Sequence, residues 1–154
     1  MTKPGTKSPA RALTALLLAA LVAACATPGE TPPQAPIGVH SQIESVMLES
    51  AEAWNRGDLD GFLRAYHPTV TFASGAQMRR GLDEVRQMYR EAYFAQGTPP
   101  RLTFDRMESR TLGDGQVLTT GRWRLASTPA QEGLFTVVMS RTREGWRVVH
   151  DHSS

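Results

Sequence analysis

The sequence predicts an α+β domain in which helices come first and a run of strands follows. Apolar residues recur at helical spacing in three segments before Pro100. After Pro100 the chain reads as four strands, separated by short polar or glycine-containing turns that suit antiparallel connections. Helices followed by consecutive strands indicate a layer of helices packed on one face of a curved antiparallel sheet, with a cone-shaped space between the two.

The first predicted helix spans about residues 40–56 and has one apolar face. Gly57 provides a stop, because glycine readily adopts the left-handed conformation that ends many helices. Asp58 can cap the next helix, since its carboxylate accepts hydrogen bonds from free backbone amides. That second helix is short, includes Tyr66 and is expected to end before Pro68, because the residue preceding proline avoids helical angles.

A short hairpin and a third helix follow. The hairpin is predicted from strand patterns at 70–72 and 77–79, with a turn between them. Arg79 and Arg80 are interpreted as part of a solvent-exposed turn. The third helix spans about 82–95, where apolar and aromatic residues again share one face.

The final strand has an unusual pattern on both of its faces. The four strands after Pro100 are predicted at 102–109, 116–126, 134–142 and 146–153. In the last one, even-numbered residues from Trp146 to His152 point one way and odd-numbered residues from Arg147 to Ser153 the other. Neither face is plainly polar, so we expect this strand to lie inside the sheet with protein on both sides.

The first 24 residues have the features of a signal peptide. Three basic and no acidic residues precede an apolar run at 12–24, which is shorter than the ~20 residues that span a bilayer. The run ends in Leu21-Val-Ala-Ala-Cys25, which resembles the lipobox of bacterial lipoproteins. That resemblance implies removal of residues 1–24 and diacylation of Cys25. The alternative is an ordinary signal peptide with a stray cysteine.

A proline-rich linker at 25–36 is expected to hold the domain, residues 37–154, away from the membrane. Ala26 follows the cysteine, and similarity to proteobacterial lipoproteins implies the periplasmic face of the outer membrane. Without the signal, 14 basic and 15 acidic residues remain, because the signal holds three of the 17 basic ones. The basic composition is therefore no evidence for nucleic-acid binding, and no such partner is predicted.

Four segments carry a resemblance to a known family: Ala53-Trp-Asn-Arg-Gly-Asp-Leu-Asp60, Gly81, Gly121-Arg-Trp123 and the ending Gly145–Ser154. From about residue 40 onwards the chain resembles the nuclear transport factor 2-like superfamily, in particular its SnoaL-like branch. The ending is also similar to that of the association domain of calcium/calmodulin-dependent protein kinase II. The resemblance implies a cone-shaped, cystatin-like fold with three N-terminal helices on a curved sheet. It also implies a homodimer formed through the back of the sheet, and a final strand between the early hairpin and the long strands.

The resemblance leaves the function open, because this superfamily includes isomerases, cyclases, dehydratases, small-molecule binders and assembly modules. In the steroid isomerases the catalytic base comes from the early hairpin, but the matching stretch 70–75 contains no acid. The kinase association domain has three pocket arginines. One matches Arg122, whereas the other two fall near Val137 and Ser153, so that site is not reproduced.

The cone is expected to bind a ligand through aromatic side chains and a few polar groups. Asp151 is the candidate catalytic base, and it could meet Arg122 if that arginine faces the cone. A buried structural ion pair between the two is the alternative, because a neighbouring cation lowers the pKa of a carboxyl. The predicted ligand-binding residues are Trp54, Phe62, Tyr66, Phe72, Tyr89, Arg122, Met139 and Asp151.

His150 and His152 flank Asp151 and share one face of the final strand in this interpretation. Two histidines at this spacing can bind a metal, but a metal site needs a third ligand from elsewhere. The alternative is hydrogen bonding within the sheet or at a dimer seam. No metal and no other cofactor is predicted.

The sequence as a whole favours a lipid-anchored, periplasm-facing homodimer that binds a small molecule in its cone without catalysis. A second hypothesis is an isomerase, cyclase or dehydratase that uses Asp151 together with Arg122 or a tyrosine. A third is a dimeric assembly module whose cone is filled with side chains.

Replacing Cys25 with serine is expected to abolish incorporation of lipid into the protein, because the diacylglyceryl group is attached through the cysteine sulfur. The measurement is metabolic labelling with radioactive palmitate. Ala26→Ser, which keeps the cysteine and changes only its neighbour, should still be labelled. Label retained by the Cys25→Ser protein would refute the lipoprotein interpretation.

Overall fold

A computed structural model describes residues 35–154. The predicted signal peptide, Cys25 and most of the predicted linker lie outside the described residues. The helical segments within the described range are α1 (Ile37–Asn55), α2 (Leu59–Leu63), α3 (Leu82–Tyr89) and a π-helix (Arg90–Phe94) that continues α3.

The boundary between α1 and α2 has the predicted chemistry. Gly57 adopts a φ of 77°, in the left-handed region where glycine avoids the steric clash of a Cβ atom. The amide of Gly61 donates a 2.7 Å hydrogen bond to the carboxylate of Asp58, which caps α2. The predicted stop and the predicted cap are therefore confirmed.

Two helix predictions were wrong in detail. Tyr66 belongs to a strand, because α2 ends at Leu63 and Tyr66 pairs with Val148 of the final strand. The third helix does not continue as a regular α-helix to residue 95. It changes at Arg90 to a π-helix, a wider winding that is frequent at functional sites.

Within residues 35–154, six strands form one sheet in the order β2-β1-β6-β5-β4-β3. Their bounds are β1 (Tyr66–Ser74), β2 (Gln77–Arg80), β3 (Leu102–Gly113), β4 (Gln116–Leu125), β5 (Gln131–Thr142) and β6 (Gly145–Ser153). The final strand thus lies between the early hairpin and the long strands, as predicted.

The sheet is curved and mixed, so the prediction of a purely antiparallel sheet was wrong. β1 and β6 are parallel, whereas every other neighbouring pair is antiparallel. The chain enters β1 after the two helices and not from a hairpin with β6, so the local turn pattern carried no sign of this pairing. An irregularity between Asp105 and Glu108 interrupts β3, where Arg106 has a φ of 53°. Such bulges bend strands and contribute to the curvature.

A bulge in β6 overturns the simple alternation expected for that strand. Met139 of β5 pairs with Val148, but the next residue back, Val138, pairs with His150, so Val149 is the extra residue. The alternation shifts by one residue at this point. Asp151 therefore shares the helix-facing side of the sheet with Val148, and it does not share a face with Val149.

The core lies between the helices and this inner face of the sheet. Its largest fully buried side chains include Trp54 and Ile43 of α1, Val85 of α3 and Met139 of β5. Trp54 also donates a 2.8 Å hydrogen bond to the carbonyl of Pro100, which fixes the end of α1 against the start of β3. Within residues 35–154, no helix combines the length and apolar character needed to cross a bilayer.

Candidate functional site

Asp151 lies in the centre of the inner face and is only 4% exposed. It pairs with Phe72 of β1 on one side and with Val137 of β5 on the other, and both neighbours are buried. Paired residues of adjacent strands project from the same face, so the carboxyl group points into the core between the sheet and the helices. A buried carboxyl group in apolar surroundings needs hydrogen-bond donors, because burial removes its hydration.

Two hydroxyl groups supply these hydrogen bonds. The hydroxyl of Tyr66 donates to Oδ2 of Asp151 at 2.8 Å, and the hydroxyl of Ser153 donates to Oδ1 at 2.8 Å. The hydroxyl of Tyr89, on α3, lies 3.3 Å from the hydroxyl of Tyr66. These four residues, Tyr66, Tyr89, Asp151 and Ser153, form what we call the Asp151 cluster. None of the ion pairs among the described residues includes Asp151.

Burial dominates the electrostatics of the Asp151 cluster. It raises the pKa of Asp151 above the ordinary value of 3.8, although the hydrogen bonds from Tyr66 and Ser153 oppose the rise. Burial and the negative charge of Asp151 likewise raise the pKa of Tyr66 and of Tyr89. Both tyrosines therefore keep their protons at neutral pH and remain hydrogen-bond donors.

Five of the predicted ligand-binding aromatic residues meet around the Asp151 cluster. The ring centroid of Tyr89 lies 4.9 Å from that of Phe62, 5.7 Å from that of Trp54 and 5.8 Å from that of Phe72. Tyr66 lies 5.7 Å from Phe62. Met139 is fully buried on the same inner face. These side chains pack closely against one another, and their part in ligand binding stays a prediction.

Arg122 lies on the opposite face of the sheet, so the expectation that it meets Asp151 was wrong. Its neighbours along β4, Gly121 and Trp123, face the core, and alternation turns Arg122 outward. There it lies within 4 Å of Asp105 and Glu132, which also contact Arg124. The inner face contributes a carboxyl group without the predicted arginine.

The predicted ligand-binding residues omitted three polar side chains of the inner face, although Ser153 was expected to share a strand face with Asp151. Ser153 donates to Asp151, and Trp123 has an indole nitrogen that is buried without a hydrogen-bond acceptor among the described residues. Arg79 pairs with Phe72 within β2, which confirms the predicted return strand at 77–79, but the interpretation of Arg79 as part of a solvent-exposed turn was wrong. The tight turn between 74 and 77 was the available signal, because it fixes the register of the hairpin and turns Arg79 inward.

His150 and His152 lie on the outer face of the sheet, opposite to Asp151. Nδ1 of His150 is 2.7 Å from the hydroxyl of Thr71 across the parallel pair, which is the sheet hydrogen bond that the sequence left open. His152 is exposed, and His67 contacts Thr69. Within the described residues, no group of three or more histidine, cysteine or carboxylate side chains lies close enough to hold a metal ion.

Among the described residues, two surface hollows lie beside α2, and neither is lined by Asp151, Tyr89 or Ser153. One of about 490 Å³ lies between α2, the start of α3 and the β5–β6 turn, and Tyr66 is the one predicted site residue in its lining. Another of about 440 Å³ lies between α1, α2 and the same turn. Arginines and acids line much of both hollows, so they differ in character from the aromatic interior.

Asp151→Asn is expected to remove a pH-dependent destabilisation. Because burial raises the pKa of Asp151, the folded state favours the protonated carboxyl group. The stability that this gives is fully present below about pH 4 and is lost as the pH rises through the folded-state pKa. The thermal midpoint of the variant, relative to the parent, should therefore rise between pH 4 and pH 8. Asp105→Asn, on the outer face, is the matched control and should not show this rise. A constant difference for Asp151→Asn across that range would contradict the raised pKa.

The family model for the SnoaL-like domain matches residues 43–154. A nuclear transport factor 2-like protein of unknown function from Shewanella oneidensis is 29% identical with a TM-score of 0.68, covering 74% of this chain and 97% of that one. No curated protein matches the sequence.

Two further structures share the fold at lower identity. A proposed dehydratase of the nuclear transport factor 2-like family from Streptomyces avermitilis is 20% identical with a TM-score of 0.63, covering 78% of this chain and 97% of that one. A proposed aromatic ring hydroxylase from Novosphingobium aromaticivorans is 16% identical with a TM-score of 0.66, covering 79% of this chain and 91% of that one. The family model covers most of the chain, and the helix-then-sheet architecture agrees with it: this protein belongs to the SnoaL-like domain family, with a nuclear transport factor 2-like, cystatin-like fold.

Proposed function

We propose that this protein binds a small molecule between its helices and the inner face of its sheet, and that it does so without catalysis. The observation that carries the proposal is the Asp151 cluster: a buried carboxyl group held by hydroxyl groups inside an aromatic wall. Ligand sites typically combine apolar walls with a few fixed polar groups. Asp151 takes part in none of the ion pairs among residues 35–154, and burial raises its pKa; a perturbed pKa of this kind is characteristic of functional sites.

Partly buried aromatic side chains provide an approach to this interior. Tyr93 and Phe94, in the π-helix, lie with ring centroids 5.1 and 5.0 Å from that of Trp54. Phe104 and Trp123 pair across β3 and β4 on the inner face, and both are only partly buried. Rearrangement of these side chains would open a path to the Asp151 cluster, and the buried indole nitrogen of Trp123 would then gain an acceptor from the ligand.

An isomerase, cyclase or dehydratase is the second candidate function. The specific observation in its favour is the hydrogen bond of Tyr66 to an acid whose pKa is raised. A carboxyl group tuned upward is a better general base, and a neutral tyrosine beside it can donate to a developing oxyanion. The dehydratase assignment of the Streptomyces avermitilis relative concerns the same fold, so it adds only that such chemistry is proposed on this scaffold.

A homodimer through the outer face of the sheet is part of the proposal. That face presents partly exposed apolar side chains in its centre, at Leu118 and Val138, and Leu134 is 64% exposed. Covering such a surface with a second copy would bury apolar area that otherwise faces water. The close aromatic packing of the interior also keeps a third role open, a dimeric assembly module in which the core only fills space.

The proposed location is the periplasmic face of the outer membrane. The lipid on Cys25 would anchor the chain, and the proline-rich segment 25–36 would hold the domain at 37–154 above the bilayer. This part of the proposal depends on the sequence alone, and the lipid labelling described above tests the anchor on Cys25.

Native mass spectrometry of the full chain in detergent, compared with the denatured mass, tests the binding proposal. The expected result is a dimer that carries noncovalent extra mass, because the denatured mass already includes any covalent lipid. Asp151→Asn should reduce the retained mass, whereas Asp105→Asn should not, because Asp105 lies on the opposite face.

A dimer at bare mass would contradict the binding role and favour the assembly module. A monomer would contradict the dimer. Extra mass of equal amount in the parent and both variants would show that the ligand lies outside the Asp151 cluster.

A further inference from the structure

Arg79 of the edge strand β2 has an unused donor on the inner face of the sheet. Its partner across the hairpin is Phe72, whose side chain is buried against Tyr89. Paired residues in an antiparallel ladder project from the same face, so the side chain of Arg79 extends toward the same interior. Nη2 donates a 2.9 Å hydrogen bond to the side-chain oxygen of Gln77. Nη1 is buried and has no acceptor among the described residues.

This arrangement differs from that of the other buried or half-buried arginines. Arg86 pairs with Asp60, Arg122 with Asp105 and Arg147 with Glu144. No ion pair among the described residues includes Arg79. A guanidinium nitrogen removed from water without an acceptor is destabilising. An anion that bound there would convert this cost into a charge-assisted hydrogen bond.

Arg79 and the Asp151 cluster lie in one row across the sheet. Phe72 pairs with Arg79 on β2 and with Asp151 on β6, so two strand spacings, ~10 Å between Cα atoms, separate the cation from the acid. Tyr89 lies near both groups: its hydroxyl contacts Tyr66, and the charge of Arg79 opposes the rise in the pKa of Tyr89. The aromatic rings of Phe72 and Tyr89 occupy the space between the two polar ends.

We infer that Arg79 is the anion-recognising residue of the proposed binding site and that the ligand is a small aromatic carboxylic acid. The carboxylate would accept hydrogen bonds from the guanidinium of Arg79. Phe72 and Tyr89, which occupy this space in the structure, would move apart to admit the ring and would then pack on it. A hydroxyl at the far end would donate to Asp151. This inference rests on the proposed binding function and specifies its ligand class.

The charges nearby favour a monovalent anion over a phosphate. Asp151 carries negative charge when ionised, and a doubly charged group would be repelled by it and would lose more hydration in an aromatic interior. A carboxylate carries a single charge, and its two oxygens match the planar fork of N–H donors on the guanidinium of arginine.

The test uses the full-chain protein in detergent and two probes, 4-hydroxybenzoate and its uncharged methyl ester. Isothermal titration calorimetry measures the Kd of each probe. Arg79→Gln should weaken binding of 4-hydroxybenzoate by about tenfold or more, which is the size expected for one hydrogen bond to a charged group. Binding of the methyl ester should change little, and Arg79→Lys should restore part of the affinity for the acid. Arg80→Gln is the matched control, because Arg80 is exposed and pairs with Thr71 on the outer face.

Each other outcome overturns a defined part of the argument. If the acid binds the parent and the Arg79→Gln variant equally, the role of Arg79 is refuted and the binding function stands. If only the methyl ester binds the parent, the ligand class is refuted. If neither probe binds up to millimolar concentration, the inferred ligand class is refuted, and the binding function is decided separately by the native mass spectrum. An equal loss with Arg80→Gln would show a general effect of surface charge.

Discussion

The hydrogen bond between the hydroxyl of Tyr66 and the carboxyl group of Asp151 is the constraint on which the interior depends. Asp151 is almost fully buried in a wall of aromatic side chains, and a carboxyl group there without donors would oppose folding by several kcal/mol. Tyr66 supplies one donor at 2.8 Å and Ser153 the other. Because the donors come from two different strands, the cluster can form only when β1 and β6 are side by side.

The parallel pairing of β1 and β6 connects this polar cluster to the rest of the fold. It joins the early hairpin to the four long strands, and it brings Phe72 beside Asp151. The bulge at Val149 is equally important, because it turns Asp151 toward the helices while Trp146 and Val148 keep facing the core. On the helix side, Tyr89 of α3 packs on Phe72 and extends the hydroxyl chain. Polar and aromatic contacts therefore require the same arrangement of sheet and helices.

Much of the fold was predictable from local chemistry, and the errors have physical causes. Gly57 and Asp58 signalled the end of one helix and the start of another because both act within a few residues of themselves. The parallel pair and the bulge in β6 depend on residues far apart in the chain, so no short pattern contained them. The same bulge, together with strand alternation in β4, explains why Asp151 faces the core and Arg122 does not. Arg79 was missed because an arginine near a turn is usually solvent-exposed, and only the hairpin register turned it inward.

A double-mutant cycle on Tyr66→Phe and Asp151→Asn measures how strongly the interior depends on this hydrogen bond, with free energies of unfolding from urea denaturation at pH 7. Each change removes one partner of the hydrogen bond, so we expect a coupling energy of about 1–3 kcal/mol. The control cycle combines Tyr66→Phe with Asp105→Asn on the opposite face and should be additive within ~0.5 kcal/mol. Additivity of the Tyr66 and Asp151 substitutions would show that the interior does not depend on this interaction.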